Sequence, residues 1–531
     1  MKTNFPFLNQ TQEKLLPIEA SDSSVQISNF LTAKKVADAI RTSLGPHGMD
    51  KIIVSDKELL ITNDGATIMK NSKFEHPVAK LLVNVTESQD SEVGDGTTSV
   101  IILSGSLLGA SLNLVKRGIP ANKLTKCLSV FLDETKKILL RIAIPINIKN
   151  SLALYNATCT ALESKIVSSY CHILAPLVVQ SVLLILDDKK SFNLDLKRIK
   201  LIKKIGGTIE QSELINGIAI DYPVIKSYGG PNRVYDAKVG LVQFPISPPS
   251  TETESLLVIE NYSHMDKMLK EEKQIIISFC RKIKSTGCNV ILLQKSILKD
   301  SICDLAIQIL SQMKIMLVRD IDLDEIPFLA DSLGCIPIID IETFSKDKLG
   351  FVKHVEEKNY NGQKVVVFKG IQNPNLKSST IIIKGSNKHL LEETERSIHD
   401  ALCVVRSIIR RQYLVTGGGA MEIEIALTIK QYAKTLTGLN SYCFNAFANS
   451  LEIIPYTLCE NAGLEPIEII SRIKKHHLNG KKTIGINTRK GILSNMIKEN
   501  IISPLLVATS IFNMSVEFTV QLLKIDRIIE V

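Results

Sequence analysis

Residues Gly94-Asp95-Gly96-Thr97-Thr98-Ser99 set two glycines, a carboxylate and three hydroxyls directly ahead of a long apolar segment. From Ser99 to Arg117 apolar residues recur at helical spacing, Lys116 and Arg117 fill the last turn, and Gly118 stops the run, which predicts a helix. The hexapeptide therefore falls at a helix N-terminus. Unpaired N–H groups and the positive end of the helix dipole favour an anion there, and glycines let the backbone approach it. Asp95 has the chemistry to hold Mg²⁺ against phosphate oxygens. The same six residues also suit a plain glycine turn with a threonine N-cap, and a short glycine motif does not separate the two readings.

Upstream, Pro77 opens a predicted helix that runs to about Ser91 and delivers the chain to this motif. Before it comes a predicted hairpin, Lys51 to Val54 and Leu59 to Thr62, joined by Ser55-Asp56-Lys57-Glu58 and followed by Asn63-Asp64-Gly65. The first helix is expected from about Asn29 to Leu44, with Leu31, Val36, Ala39 and Ile40 inward and Gly45-Pro46 as its stop. Downstream, the stretch from about Ile199 to Phe368 alternates helices with β-branched runs at Asn289–Leu293, Lys314–Val318, Ile336–Ile339 and Lys364–Val367, the signature of an α/β unit. Within it, Pro245, Pro248, Pro249, Ser250 and Thr251 precede an amphipathic helix from near Met265, as a projecting flap or a plain surface loop. Both ends of the chain are mostly helical by pattern. In the predicted helix Lys388 to Arg410, Asp400 borders the apolar Ala401-Leu402-Cys403-Val404-Val405; it is either a solvated helix residue or a desolvated carboxylate able to polarise water. Gly417-Gly418-Gly419 then permits close approach to a ligand or to another helix.

The chain has 531 residues, room for about three domains, with 45% hydrophobic and 22% charged residues, as in a soluble globular protein. Its +9 net charge, from 64 basic and 55 acidic residues, is spread along the chain and reads as a solvated surface, with no nucleic-acid footprint. Met1 to Gln10 has no apolar core of a leader, and the strongest apolar run, Pro176 to Leu186, is too short to span a bilayer, so no membrane partner and a cytosolic location are expected. The ten cysteines form no C-x-x-C pair and predict buried, reduced thiols. Nothing fits G-x-x-x-x-G-K-[ST], and no G-x-G-x-x-G follows a strand, so a nucleotide would need another apparatus.

LGPHGMDK (Leu44 to Lys51), NDGAT (Asn63 to Thr67), VGDGTTS (Val93 to Ser99), SIHDAL (Ser397 to Leu402), GGGA (Gly417 to Ala420) and ENAGL (Glu460 to Leu464) together resemble the group II chaperonins in order and spacing over essentially the whole chain. TGCNVILLQKSILKD (Thr286 to Asp300), MKIMLVRDI (Met313 to Ile321) and ERSIHDALCVVR (Glu395 to Arg406) are most similar to one subunit type of the eukaryotic cytosolic chaperonin.

The resemblance implies a multi-domain α plus α/β chaperonin fold. A helical equatorial ATPase domain would comprise residues 1–152 and 407–531, a small intermediate domain 153–220 and 373–406, and an α/β apical substrate-binding domain 221–372, with a helical lid protrusion near 245–275. The implied ligands are ATP or ADP with Mg²⁺; the implied partners are paralogous subunits in an eight-membered double ring and unfolded polypeptides. Carried over by position, Asp95 would hold the metal, and Gly94, Gly96, Thr97, Thr98 and Ser99 would surround the phosphates. Leu44, Gly45, Pro46, Gly418 and Ser503 would line the rest of the nucleotide. Asp64 and Asp400 would orient and polarise the attacking water, and Lys165 would sense the γ-phosphate. Ser503, Glu465 and Met421 depart from the family pattern, the first two where nucleotide affinity would feel it. A nucleotide-binding scaffold without turnover is the alternative, against which the presence of all three aspartates argues.

Overall fold

The structure, a computed structural model, describes residues 22–54, 59–147, 151–186, 194–248, 262–296, 300–371 and 377–528. These divide into two units, one gathering the described residues of Met1–Asn147 and Arg411–Val531, the other those of Ile148–Arg410.

In the first unit the Thr97–Lys116 helix buries twelve of its twenty residues, which makes it the central element. Helices Asp22–Ile40, Ala121–Ile142, Leu439–Ser450 and Leu505–Lys524 pack around one core that includes Phe30, Leu103, Phe131, Phe447 and Phe512. Phe131 meets Phe447 edge to face at 5.7 Å. Both ends of the chain share a small antiparallel sheet, in which Tyr413–Thr416 lies between Ile144–Pro145 and Ile502–Pro504.

The second unit carries two sheets. In the larger, the order is Gly217–Ile220, Gln363–Ile371, Gly350–Tyr360, Arg233–Val242, Val290–Gln294, Met316–Ile321, antiparallel through the first four strands and parallel through the last three. Parallel strands are covered on both faces, and the run Val290–Leu293 is wholly buried: Val290 and Leu292 feed one core, Ile291 and Leu293 the other. In the smaller sheet Ser379–Gly385 is central, parallel to Ile199–Ile205 and antiparallel to Glu213–Ile215. Helices Ser151–Glu163, Cys171–Ile185 and Lys388–Arg410 pack together beside it.

Several sequence expectations need correction. The first helix turns Phe30, Ala33, Val36, Ala37 and Ile40 inward, while Leu31 is 43% exposed and Ala39 is exposed as well. Ile336–Ile339 is no strand; it makes one bridge, Val242 to Ile338, because Pro337 lacks an N–H for a ladder. Asn63-Asp64-Gly65, a turn-forming sequence by composition, instead opens a short helix, Gly65–Asn71. By length and composition three described segments are long and apolar enough to cross a membrane, Thr97–Lys116, Ile166–Ile185 and Leu505–Lys524, so the run at Pro176–Leu186 was the wrong gauge. The first and third of these pack on each other, with Ser515 Oγ donating to the Val100 carbonyl at 3.2 Å. Of the flap, residues 249–261 lie outside the described residues, as does the 55–58 turn; the helix that follows the flap is Tyr262–Ser285. Seven of the ten cysteines are buried, as expected.

Candidate functional site

Gly96 is the N-cap of the Thr97–Lys116 helix in the left-handed region, φ 78°. A Cβ there would stand 2.7 Å from Ile511 Cδ1, so only glycine both bends the chain and clears the C-terminal helix. The N–H groups of Thr97, Thr98 and Ser99 belong to the first turn and have no intrahelical acceptor. Asp95 Oδ1 accepts from the Gly96 N–H at 2.7 Å.

Asp64 reaches the same place from the other side. As N-cap of Gly65–Asn71 its Oδ2 accepts from Thr67 N at 3.1 Å and Thr67 Oγ1 at 2.7 Å. Its Oδ1 lies 3.3 Å from Thr97 Oγ1, which donates to it. A Cβ on Gly65 would stand 2.7 Å from Thr98 Oγ1, so the two loops are in close contact. Two carboxylates, two threonine hydroxyls and a helix N-terminus are thus gathered at one spot. Mg²⁺ takes oxygen ligands, commonly one or two carboxylates with substrate phosphates supplying more. Asp95 and Asp64 fit that pattern; among the described residues no group of three or more His, Cys, Asp or Glu side chains forms a self-sufficient cage.

Gln89 is a supporting residue that the sequence reading missed. It is fully buried; its Nε2 donates to the Asp95 carbonyl at 2.8 Å and its Oε1 accepts from Ser510 Oγ at 2.6 Å. Its position on the buried stripe Val78, Leu82, Thr86 of the Pro77–Glu92 helix was the available signal, a polar side chain where the core face runs.

The Leu44-Gly45-Pro46 turn follows a short 3₁₀ segment, Arg41–Ser43, that packs against the Thr97–Lys116 helix. Gly417-Gly418-Gly419 joins Tyr413–Thr416 to the helix Ala420–Thr435, and the Gly418 carbonyl accepts from Ile486 N at 2.9 Å. The triple glycine therefore seats a strand, Ile484–Asn487, and also lets a helix close in: a Cβ on Gly419 would stand 2.7 Å from Pro455 Cβ in Ile453–Asn461. That strand is anchored in turn: His477 Nε2 donates to the Ile484 carbonyl at 2.8 Å, and His477 Nδ1 lies 2.9 Å from Glu424 Oε2. Burial opposes ionisation of Glu424, but hydrogen bonds from His477 and Lys482 hold its carboxyl below the ordinary range. Ser503 pairs with Val415 in the small sheet, four residues before Val507, whose side chain borders Gly96.

Asp400 and Lys165 belong to the second unit. Asp400 is 7% exposed, a buried carboxylate and not a solvated helix residue. Lys165, at the head of the 3₁₀ segment Ile166–Tyr170, places Nζ 2.7 Å from Asp400 Oδ2.

The sequence model of the TCP-1/cpn60 chaperonin family matches residues 36–531. The chain belongs to that family. Mixed helical and sheet content fits the chaperonin fold. Among chaperonins the chain is 46% identical over 508 residues to T-complex protein 1 subunit delta of Dictyostelium discoideum, covering 96% of this chain and 95% of that one. To the protein of the same name it is 45% identical in Saccharomyces cerevisiae, with 95% and 96% covered, and 44% identical in Homo sapiens, with 96% and 94% covered.

Proposed function

We propose that this chaperonin is the delta-type subunit of a hetero-oligomeric double ring in the eukaryotic cytosol, where it binds ATP with Mg²⁺, hydrolyses it and couples the cycle to lid closure over unfolded polypeptides. The observation that carries this reading is the likeness, near 45% and almost end to end, to delta subunits from an amoeba, a yeast and a mammal. Eight paralogous subunits would make up each ring.

The division at Asn147 and Arg411 supports an equatorial domain of residues 1–152 and 407–531. The smaller sheet with its helices supports an intermediate domain, 153–220 and 373–406, and the six-stranded sheet an apical one, 221–372. Asp95 holds Mg²⁺ in this reading, which when bound neutralises phosphate charge. Thr97, Thr98 and Ser99 offer N–H and hydroxyl donors to the phosphates, and Gly94 and Gly96 let the backbone come close to them. Leu44, Gly45, Pro46, Gly418 and Ser503 line the remainder. Asp64 and Asp400 orient the attacking water, and Lys165 responds to the γ-phosphate. Phosphoryl transfer asks little of the protein beyond placement and charge.

The test is to isolate the chain from its native cytosol under gentle conditions, weigh the particle, and assay magnesium-dependent ATP hydrolysis with wild type, Asp95→Asn and Asp400→Asn. A ring-sized particle whose turnover falls by this subunit's share in both variants is expected. Turnover indifferent to both changes would move the assignment to a scaffold that binds without hydrolysis.

A further inference from the structure

The Leu44-Gly45-Pro46 turn is held by a helix from the far end of the sequence, Ile453–Asn461. The Asn461 side-chain nitrogen donates to the Leu44 carbonyl at 2.9 Å and to the Arg41 carbonyl at 3.2 Å. An amide group carries two N–H donors, so one side chain spans the 3₁₀ segment Arg41–Ser43 and fixes the separation of the carbonyls at its two ends. Arg41 grips the same helix in return. Its Nε donates to Thr457 Oγ1 at 3.0 Å, its guanidinium pairs with Glu460, and it lies over the Tyr456 ring at 5.2 Å. Gly45 completes the fit. Its φ is 84°, and a Cβ there would stand 2.7 Å from Leu458 Cδ2. The Glu460 side chain is 53% exposed, so its ion pair adds little in water. The directional work falls to Asn461.

We propose that Asn461, with Arg41 beside it, is a positioning residue for the bound nucleotide: it sets the curvature of the Leu44-Gly45-Pro46 turn and, through that, nucleotide affinity. This rests on the reading of the turn as part of a nucleotide site. Asn461 touches no reacting atom in this scheme. The phosphate end, built on Asp64, Asp95 and Thr97, is made by other elements, so loss of the clamp weakens binding and leaves the hydrolytic step alone. Two hydrogen bonds of ordinary net strength convert to about a tenfold loss of affinity.

The experiment uses the full chain in its native assembly, with a photoreactive azido-ADP and Mg²⁺ as the probe, reading the label on this subunit against nucleotide concentration. Asn461→Ala is expected to raise the half-saturating concentration about tenfold with unchanged labelling at saturation and, in a separate assay with Mg·ATP in place of the label, unchanged single-turnover hydrolysis. Asn461→Asp keeps the side chain's shape but turns an acceptor toward two carbonyls, and should weaken binding at least as much. Unchanged half-saturation in either variant overturns the proposal. If wild type itself shows no saturable, magnesium-dependent label, the nucleotide reading fails instead. A wild-type measurement guards against variants that do not assemble. By reciprocity of binding and clamping, Mg·ADP should slow amide hydrogen exchange in Arg41–Gly48 and Ile453–Asn461 together. Protection of the first without the second also overturns the proposal.

Discussion

Glu422 sits in the first turn of the helix that follows the triple glycine, and its Oε2 is buried with no hydrogen-bond partner among the described residues. Burial pushes its carboxyl up from 4.5 to about 7. The folded protein therefore keeps this proton at pH values where the unfolded chain has released it. Its contribution to stability is complete below the unfolded pKa and is lost as pH rises toward 7, a span worth roughly 3 kcal/mol. Glu422→Gln should remove that slope and be the more stable protein at pH 8. Urea unfolding of both proteins at pH 5, 6, 7 and 8 checks this, and parallel curves would refute it. A desolvated carboxylate beside Gly417-Gly418-Gly419 is a cost the chain carries close to its candidate site, where such costs are often tied to use.

Among the elements, the turn into the Thr97–Lys116 helix has the least freedom to vary. Gly96→Ala would place a methyl group against Ile511 in a backbone region that alanine disfavours, and should cost about 1–3 kcal/mol. A thermal midpoint within error of wild type would show that the two helices have more slack than the distances allow. This helix, the Pro77–Glu92 helix, the Lys388–Arg410 helix and the Lys51–Thr62 hairpin strands were legible because local signals agreed: proline at an N-terminus, glycine after a last turn, two short apolar runs around a polar stretch. Where a single residue served two roles, reading failed. Asp64 is a turn former by composition and an N-cap in fact, and Pro337 broke a run whose isoleucines looked like a strand. The candidate site was half visible. The Gly94–Ser99 motif carries its own chemistry, but Asp64 meets Thr97 across 33 positions and Asn461 meets Leu44 across 417, distances over which periodicity says nothing.

At the scale of the molecule, the two units differ in how the chain supplies them. The second is one continuous run, Ile148–Arg410, with its own sheets and cores. Expressed alone, residues 148–410 should unfold in a single cooperative transition by circular dichroism and denaturant; a gradual, featureless loss of signal would mean it borrows its order from the rest. The first unit is assembled from both ends: Phe30, Leu103 and Phe131 share a core with Phe447, Phe512 and Phe518. On a ribosome those halves emerge about 260 residues apart, a delay on the order of ten seconds to a minute at ~5–20 residues per second. Throughout that interval the amino-terminal half waits with its aromatic and leucine faces uncovered while the middle of the protein can already close. A newly made copy of this chain is thus itself an unfinished polypeptide in need of shelter, of the very kind proposed above as its cargo.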